Sequence, residues 1–266
     1  VYCLTLWPHL HAFECVHDYS SKFQINCLID SIPHPFYHNK NDKRRRMVMT
    51  SAFLSAMDLI GIIAFAVSGA LVAIDRGLDL FGIMMLALTT ASGGGFIRDL
   101  TIGHTPPALF RNPAYVVLSF ATAAVVFAIV RHVHFRRPHK KLKELYEQVL
   151  FITDTLGLAA FTVDGAVAGL NLPHTSAFLI IFLGAVTGVG GGLLRDLFAM
   201  KKPYIFVRHI YALAAVAGAA AVAFLPRFTG ENPAMAAGFA AVILIRFLAA
   251  HFHWNLPRIQ QDRARS

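Results

Sequence analysis

The chain has 266 residues, 56% of them hydrophobic and 15% charged, with a mean hydropathy of +0.55 and a formal net charge of +9. A soluble domain must cover its surface with polar groups, so this composition argues against one and points to lipid as the solvent. The positive charge sits in short loops between apolar runs, as in cytoplasmic loops of membrane proteins, so no nucleic-acid partner is expected.

In chain order, residues 1–46 differ from the remainder of the chain. They hold all three cysteines, Cys3, Cys15 and Cys27, and end in "NKNDKRRR". Their spacing lacks the paired element of a zinc module, and no apolar core follows a basic start as in a secretory signal. The expectation is a disordered segment, or translated sequence upstream of the working start, with Met47 and Met49 directly before the first apolar run. From there seven runs are long enough to span a bilayer: about 53–74, 80–102, 113–131, 150–170, 176–199, 205–225 and 233–250. The stretches between them hold Pro, Gly or charge, as helix connections do. The predicted fold is an all-α polytopic membrane protein of seven transmembrane helices.

The runs repeat. "DLIGIIAFAVSGA" (58–70) matches "DTLGLAAFTVDGA" (154–166) at an offset of 96, and "GGGFIRDL" (93–100) matches "GGGLLRDL" (190–197) at 97. Pro107 and Tyr115 have the same spacing as Pro203 and Tyr211. Each copy holds three spans, so the second enters the membrane from the opposite side: an inverted repeat with a seventh helix outside it. The expected organisation is 51–148 as the first repeat with its basic loop, 149–226 as the second, 230–252 as the seventh helix and 253–266 as a cytoplasmic tail. Arg131, Arg136, Arg137, Lys140, Lys141 and Lys143 in the third loop, Lys201 and Lys202 in the fifth, and Arg258, Arg263 and Arg265 in the tail place that side in the cytoplasm and the N-terminus outside.

Three consecutive glycines are costly in a helix interior, about 1 kcal/mol each relative to Ala. Two physical returns are open. Gly93, Gly94 and Gly95, with Gly190, Gly191 and Gly192, either let two helices pack closely or let each helix unwind beside a wet cavity, where freed carbonyls meet a cation. Arg98, Asp99, Arg195 and Asp196 come directly after them. Adjacent residues point about 100° apart on a helix, so the expectation is cross-pairing, Arg98 with Asp196 and Arg195 with Asp99. Asp164, midway along the fourth span with Ser68 as its repeat partner, is a candidate site by its depth. Asp58 and Asp154 lie near span starts and are expected to cap helices or complement the dipole rather than bind ions. Thr90 and Thr187 are expected to bond back to their own helices. His104 and His174 are expected in solvated loops, and Lys201 and Lys202 to orient the chain rather than hold lipid phosphate. No nucleotide-binding loop, HExxH or nucleophile elbow occurs in the apolar body, so neither an enzyme nor a cofactor is expected.

On the duplicated "SGGGFIRDL" and "GVGGGLLRDL", the chain resembles the prokaryotic branch of the trimeric intracellular cation channel family over about residues 51–250. That branch overlaps a group of uncharacterised bacterial inner-membrane proteins also labelled a glycine transporter domain. The resemblance implies two inverted three-helix repeats plus a seventh helix, a homotrimer among membrane lipids, and a hydrophilic pore in each protomer. It also implies that broken second and fifth helices line the pore and conduct monovalent cations, potassium foremost. Gly93–Gly95 with Arg98 and Asp99, and Gly190–Gly192 with Arg195 and Asp196, match that motif. The basic motif by which animal members bind phosphoinositide is not recognised here, and residues 1–46 have no counterpart. The leading reading is a passive cation channel of the inner membrane. The alternatives are a carrier of a small zwitterion such as glycine, whose carboxylate and ammonium suit an Arg-Asp site, and a scaffold with a dry interior.

Overall fold

A computed structural model describes the backbone of residues 43–134, 139–173, 175–201 and 210–252, and side chains from residue 53 onward within those stretches, except 133–134 and 139–142. The expectations for 1–42, His174, Lys202 and the tail beyond 252 lie outside the described residues. All packing below belongs to the compact unit Arg44–Ser266.

The described residues are helical: α1 (Lys43–Asp75), α2 (Leu80–Thr101), the one-turn α3 (Ala108–Arg111), α4 (Ala114–His134), α5 (His139–Leu170), α6 (Ala177–Phe198), α7 (Tyr211–Phe224), the one-turn α8 (Pro226–Thr229) and α9 (Glu231–His251). Six of them, α1, α2, α4, α5, α6 and α9, are long and apolar enough to cross a membrane. Of the expected sixth span, 205–209 lies outside the described residues; its described helix, α7, has 14 residues, about 21 Å at 1.5 Å per residue, against a hydrocarbon core of about 30 Å. It starts only after Ile210, whose φ is 36°, and stops where Pro226 opens α8.

Two helices run further than expected. α1 begins at Lys43, inside the segment set apart as 1–46, because Lys, Arg and Met favour helix and no Gly or Pro intervenes. The third loop is largely helix: α4 runs on to His134 and α5 starts at His139, its "HKKLKELYEQ" being rich in helix formers. Asp79 caps α2 by accepting from Gly82 N at 2.7 Å, and Ser176 caps α6 by accepting from Leu179 N at 3.2 Å.

The core is three apolar clusters that share α5. One gathers α1, α2, α4 and α5 around Phe65, Ile83 and Phe161; the second gathers α5, α6, α7 and α9 around Val163, Ile180 and Met235; the third gathers the same four helices around Leu158, Tyr211 and Val242. α1 and α5 are central, each 67% buried along its apolar window, whereas α4 is 11% buried and lies outermost. Apolar side chains on the outside, such as Val117 and Phe178, suit a lipid surround.

The glycine triplets do not break their helices. α2 and α6 run continuously through Gly93–Gly95 and Gly190–Gly192 and cross there. A Cβ on Gly94 would clash with the Thr187 carbonyl oxygen, one on Gly191 with the Thr90 carbonyl, and one on Gly190 would lie 3.0 Å from Gly94 Cα. The unwinding expected of these segments is corrected. The absent Cβ atoms let two backbones touch, and each helix keeps its hydrogen bonds.

Candidate functional site

Beside this dry crossing, ionisable side chains gather into two constellations. Arg98 closes the last turn of α2, where a cation complements the helix dipole. Its Nε donates to Asp99 Oδ1 at 3.0 Å, its Nη2 lies 2.9 Å from the same oxygen, and its Nη1 pairs with Asp164 of α5. Asp99 Oδ2 accepts from Ala108 N at 2.7 Å, which fixes α3 over the end of α2. Asp58 Oδ2 accepts from the Tyr115 hydroxyl at 3.2 Å. Asp58, Arg98, Tyr115 and Asp164 line a hollow of about 50 Å³, with Ser92 and Gly95 on its α2 wall. A water needs at least about 10–15 Å³, so several fit. The Asp164 side chain remains 19% exposed and Arg98 12%.

The second constellation repeats these positions. Arg195 ends α6; its Nε donates to Asp196 Oδ1 at 2.8 Å, and its Nη1 to Asp154 Oδ1 at 2.7 Å and to Ser68 of α1. The Tyr211 hydroxyl lies 3.4 Å from Asp154, as Tyr115 lies by Asp58. One member has no repeat counterpart. Arg246 of α9 reaches Asp154 Oδ2 at 3.2 Å and Thr155 Oγ1 at 3.3 Å, with its guanidinium 4.6 Å from the Tyr211 ring centre and 5.0 Å from that of Phe151. Arg195, Asp196, Asp154 and Arg246 are all buried.

Several expectations change. Arg98 and Arg195 pair with Asp99 and Asp196 beside them, not across the repeat, because the long guanidinium arm curls back and still has a second edge for a neighbouring helix. Asp58 and Asp154 cap nothing, because α1 and α5 begin well before them and leave both mid-helix. Gly94, Gly190 and Gly191 lie in the dry crossing, while Gly93 faces Leu194, Gly95 faces the hollow and Gly192 faces Tyr211. Thr90 and Thr187 do bond back, to Leu86 O and Leu183 O at 2.6 Å each. His104 is exposed, and Lys201 pairs with Asp75 at 2.6 Å. Sequence reasoning missed Arg246; an arginine inside "AAVILIRFLAAH" was the available signal.

Known proteins share this fold. The family model described as glycine transporter matches twice, over residues 55–131 and 151–227, two stretches of equal length displaced by 96 residues. The chain belongs to this family. Relatives within it include a UPF0126 membrane protein of Deinococcus radiodurans, 37% identical over 76% of this chain and 89% of that one. A UPF0126 inner membrane protein of Escherichia coli is 31% identical over 77% and 96%. Among solved structures, the chain is similar to a TRIC cation channel studied for its conductance, with a TM-score of 0.67 and 32% identity over 79% of this chain and 98% of that one. It is also similar to the trimeric intracellular cation channel orthologue of Rhodobacter sphaeroides, with a TM-score of 0.68 and 34% identity over 76% and 98%. This family member is thus a membrane protein with the helical fold of TRIC channels, as the duplicated glycine and Arg-Asp blocks implied.

Proposed function

We propose that the chain is a cation channel of the bacterial inner membrane, not an enzyme, conducting potassium-type ions through the first constellation of each protomer. The observation that carries the reading is the charge of the first constellation: one arginine, Arg98, against three aspartates, of which Asp58 and Asp164 line the hollow and Asp99 lies behind Arg98. Fully ionised, that set is formally −2, which favours a cation over a neutral or anionic solute. The similarity to TRIC cation channels supports it. On this reading the two family-model matches are inverted three-helix repeats, with α9 as the seventh helix and the basic loops and C-terminus cytoplasmic. Three copies assemble, in line with the trimeric relatives. Asp164 and Arg98, with Gly95, line the path; Gly93, Gly94, Gly190 and Gly191 hold α2 on α6 beside it.

The family description favours a second reading, a carrier of glycine or a similar zwitterion. Against it, Arg98 already holds two carboxylates, so a substrate carboxylate would have to displace one. The deciding experiment sets potassium current beside labelled-glycine uptake in one reconstituted preparation. Unitary potassium currents with no saturable glycine uptake are expected. Saturable uptake without current overturns the channel and favours the carrier; neither signal overturns both.

A further inference from the structure

Equivalent positions build the two constellations, yet they differ in charge and exposure. The first has one arginine, three aspartates and a hollow. The second sets Arg195 and Arg246 against Asp154 and Asp196, formally neutral, with side chains no more than 3% exposed. Two differences produce this. Where Arg98 meets Asp164, Arg195 meets Ser68, which removes one negative charge. Then α9, outside the two family-model matches, supplies Arg246, which adds one positive charge.

Arg246 also takes the space. It lies against Asp154 and Tyr211, and their counterparts Asp58 and Tyr115 line the first hollow. A guanidinium beside two aromatic rings, bonded to a carboxylate and a hydroxyl, fills the place that in the first half is a hollow. The balance of charge makes this dry state tenable, since a buried charge without a partner is strongly disfavoured.

We infer that passage through the protein is one-sided: the first constellation is the wetted path, and Arg246 is the positioning residue that keeps the second closed and dry. The inference rests on the transport reading only in calling the wet side a path. Its test measures water access and no flux, so the two can fail separately. In the full-length chain with Cys3→Ser, Cys15→Ser and Cys27→Ser, one cysteine is placed at a time, Ser92→Cys in the hollow or Ser68→Cys in the second constellation. Labelling by a small water-soluble cationic methanethiosulfonate is followed by mass spectrometry. Because the reactive thiolate forms where water reaches, Ser92→Cys is expected to label at least about tenfold faster than Ser68→Cys. Adding Arg246→Ala, in protein that still elutes as a single species, speeds labelling of Ser68→Cys; Arg246→Met serves if the alanine variant does not fold. Equal rates at the two sites with Arg246 in place overturn one-sidedness. A folded Arg246 variant in which Ser68→Cys stays protected overturns the role of Arg246.

Discussion

Gly94→Ala and Gly95→Ala are the same substitution at adjacent positions of one helix, and the packing gives them opposite signs. Both replace glycine in the interior of α2, so each gains about 1 kcal/mol of helix propensity. At Gly95 the nearest atom to the new methyl is Arg98 Nη2, 3.8 Å away, an ordinary contact, so the gain stands. At Gly94 the methyl meets backbone, the Thr187 carbonyl and, at 3.3 Å, Gly191 N. Backbone cannot swing aside as a side chain would, so the cost belongs at the upper end of overpacking, about 3 kcal/mol. The net is a loss of about 2 kcal/mol at Gly94 against a gain of about 1 kcal/mol at Gly95. At about 2–4 °C per kcal/mol for a domain of this size, thermal midpoints in detergent separate by roughly 6–12 °C. Gly191→Ala, against the Thr90 carbonyl, is expected to behave like Gly94→Ala. Equal midpoints for Gly94→Ala and Gly95→Ala would refute the tight crossing and restore the unwound helix.

Asp164→Asn takes the first constellation from formally −2 to −1 and leaves Arg98 with Asp99; a unit charge about 4 Å from an ion in a wet site is worth about 1 kcal/mol, so bilayer recordings should show potassium conductance lowered about fivefold. Unchanged conductance in a folded Asp164→Asn chain would remove Asp164 from the path. Arg246→Ala strands part of a buried charge network and should cost about 3–5 kcal/mol, read as an early unfolding midpoint. Met200, 88% exposed, closes α6 with φ 51°, where Gly103 closes α2 with φ 73°; Met200→Gly should therefore raise stability by about 1 kcal/mol, and a lowered midpoint would contradict the strain. The Lys201–Asp75 pair has Asp75 47% exposed, so Lys201→Gln should move stability by less than about 1 kcal/mol.

The long spans were legible in the chain because apolar length is a local property: the expected 80–102 and 176–199 meet α2, Leu80–Thr101, and α6, Ala177–Phe198, within two residues. Helix extension by charged segments was less legible. "HKKLKELYEQ" reads as a loop by its charge and as a helix by its propensities, and α5 takes the second course. Tyr115 and Tyr211 were visible as a repeated spacing, but their hydroxyl contacts with Asp58 and Asp154 join residues 57 apart in sequence.

By itself, the order of residues determined a membrane-embedded helical chain, a duplicated pattern and the positions of its repeated Arg-Asp pairs, because composition, apolar run length and repeat offset need no partner to be read. Only the tertiary structure decided what those features do. A missing Cβ permits unwinding and close approach alike, and the Thr187 carbonyl opposite Gly94 selects the second. Arg98 and Arg195 sit in near-identical local sequence. Their surroundings part because Asp164 reaches one, Ser68 the other, and Arg246 arrives on a helix outside the repeat, and which helices adjoin is a property of the packed whole.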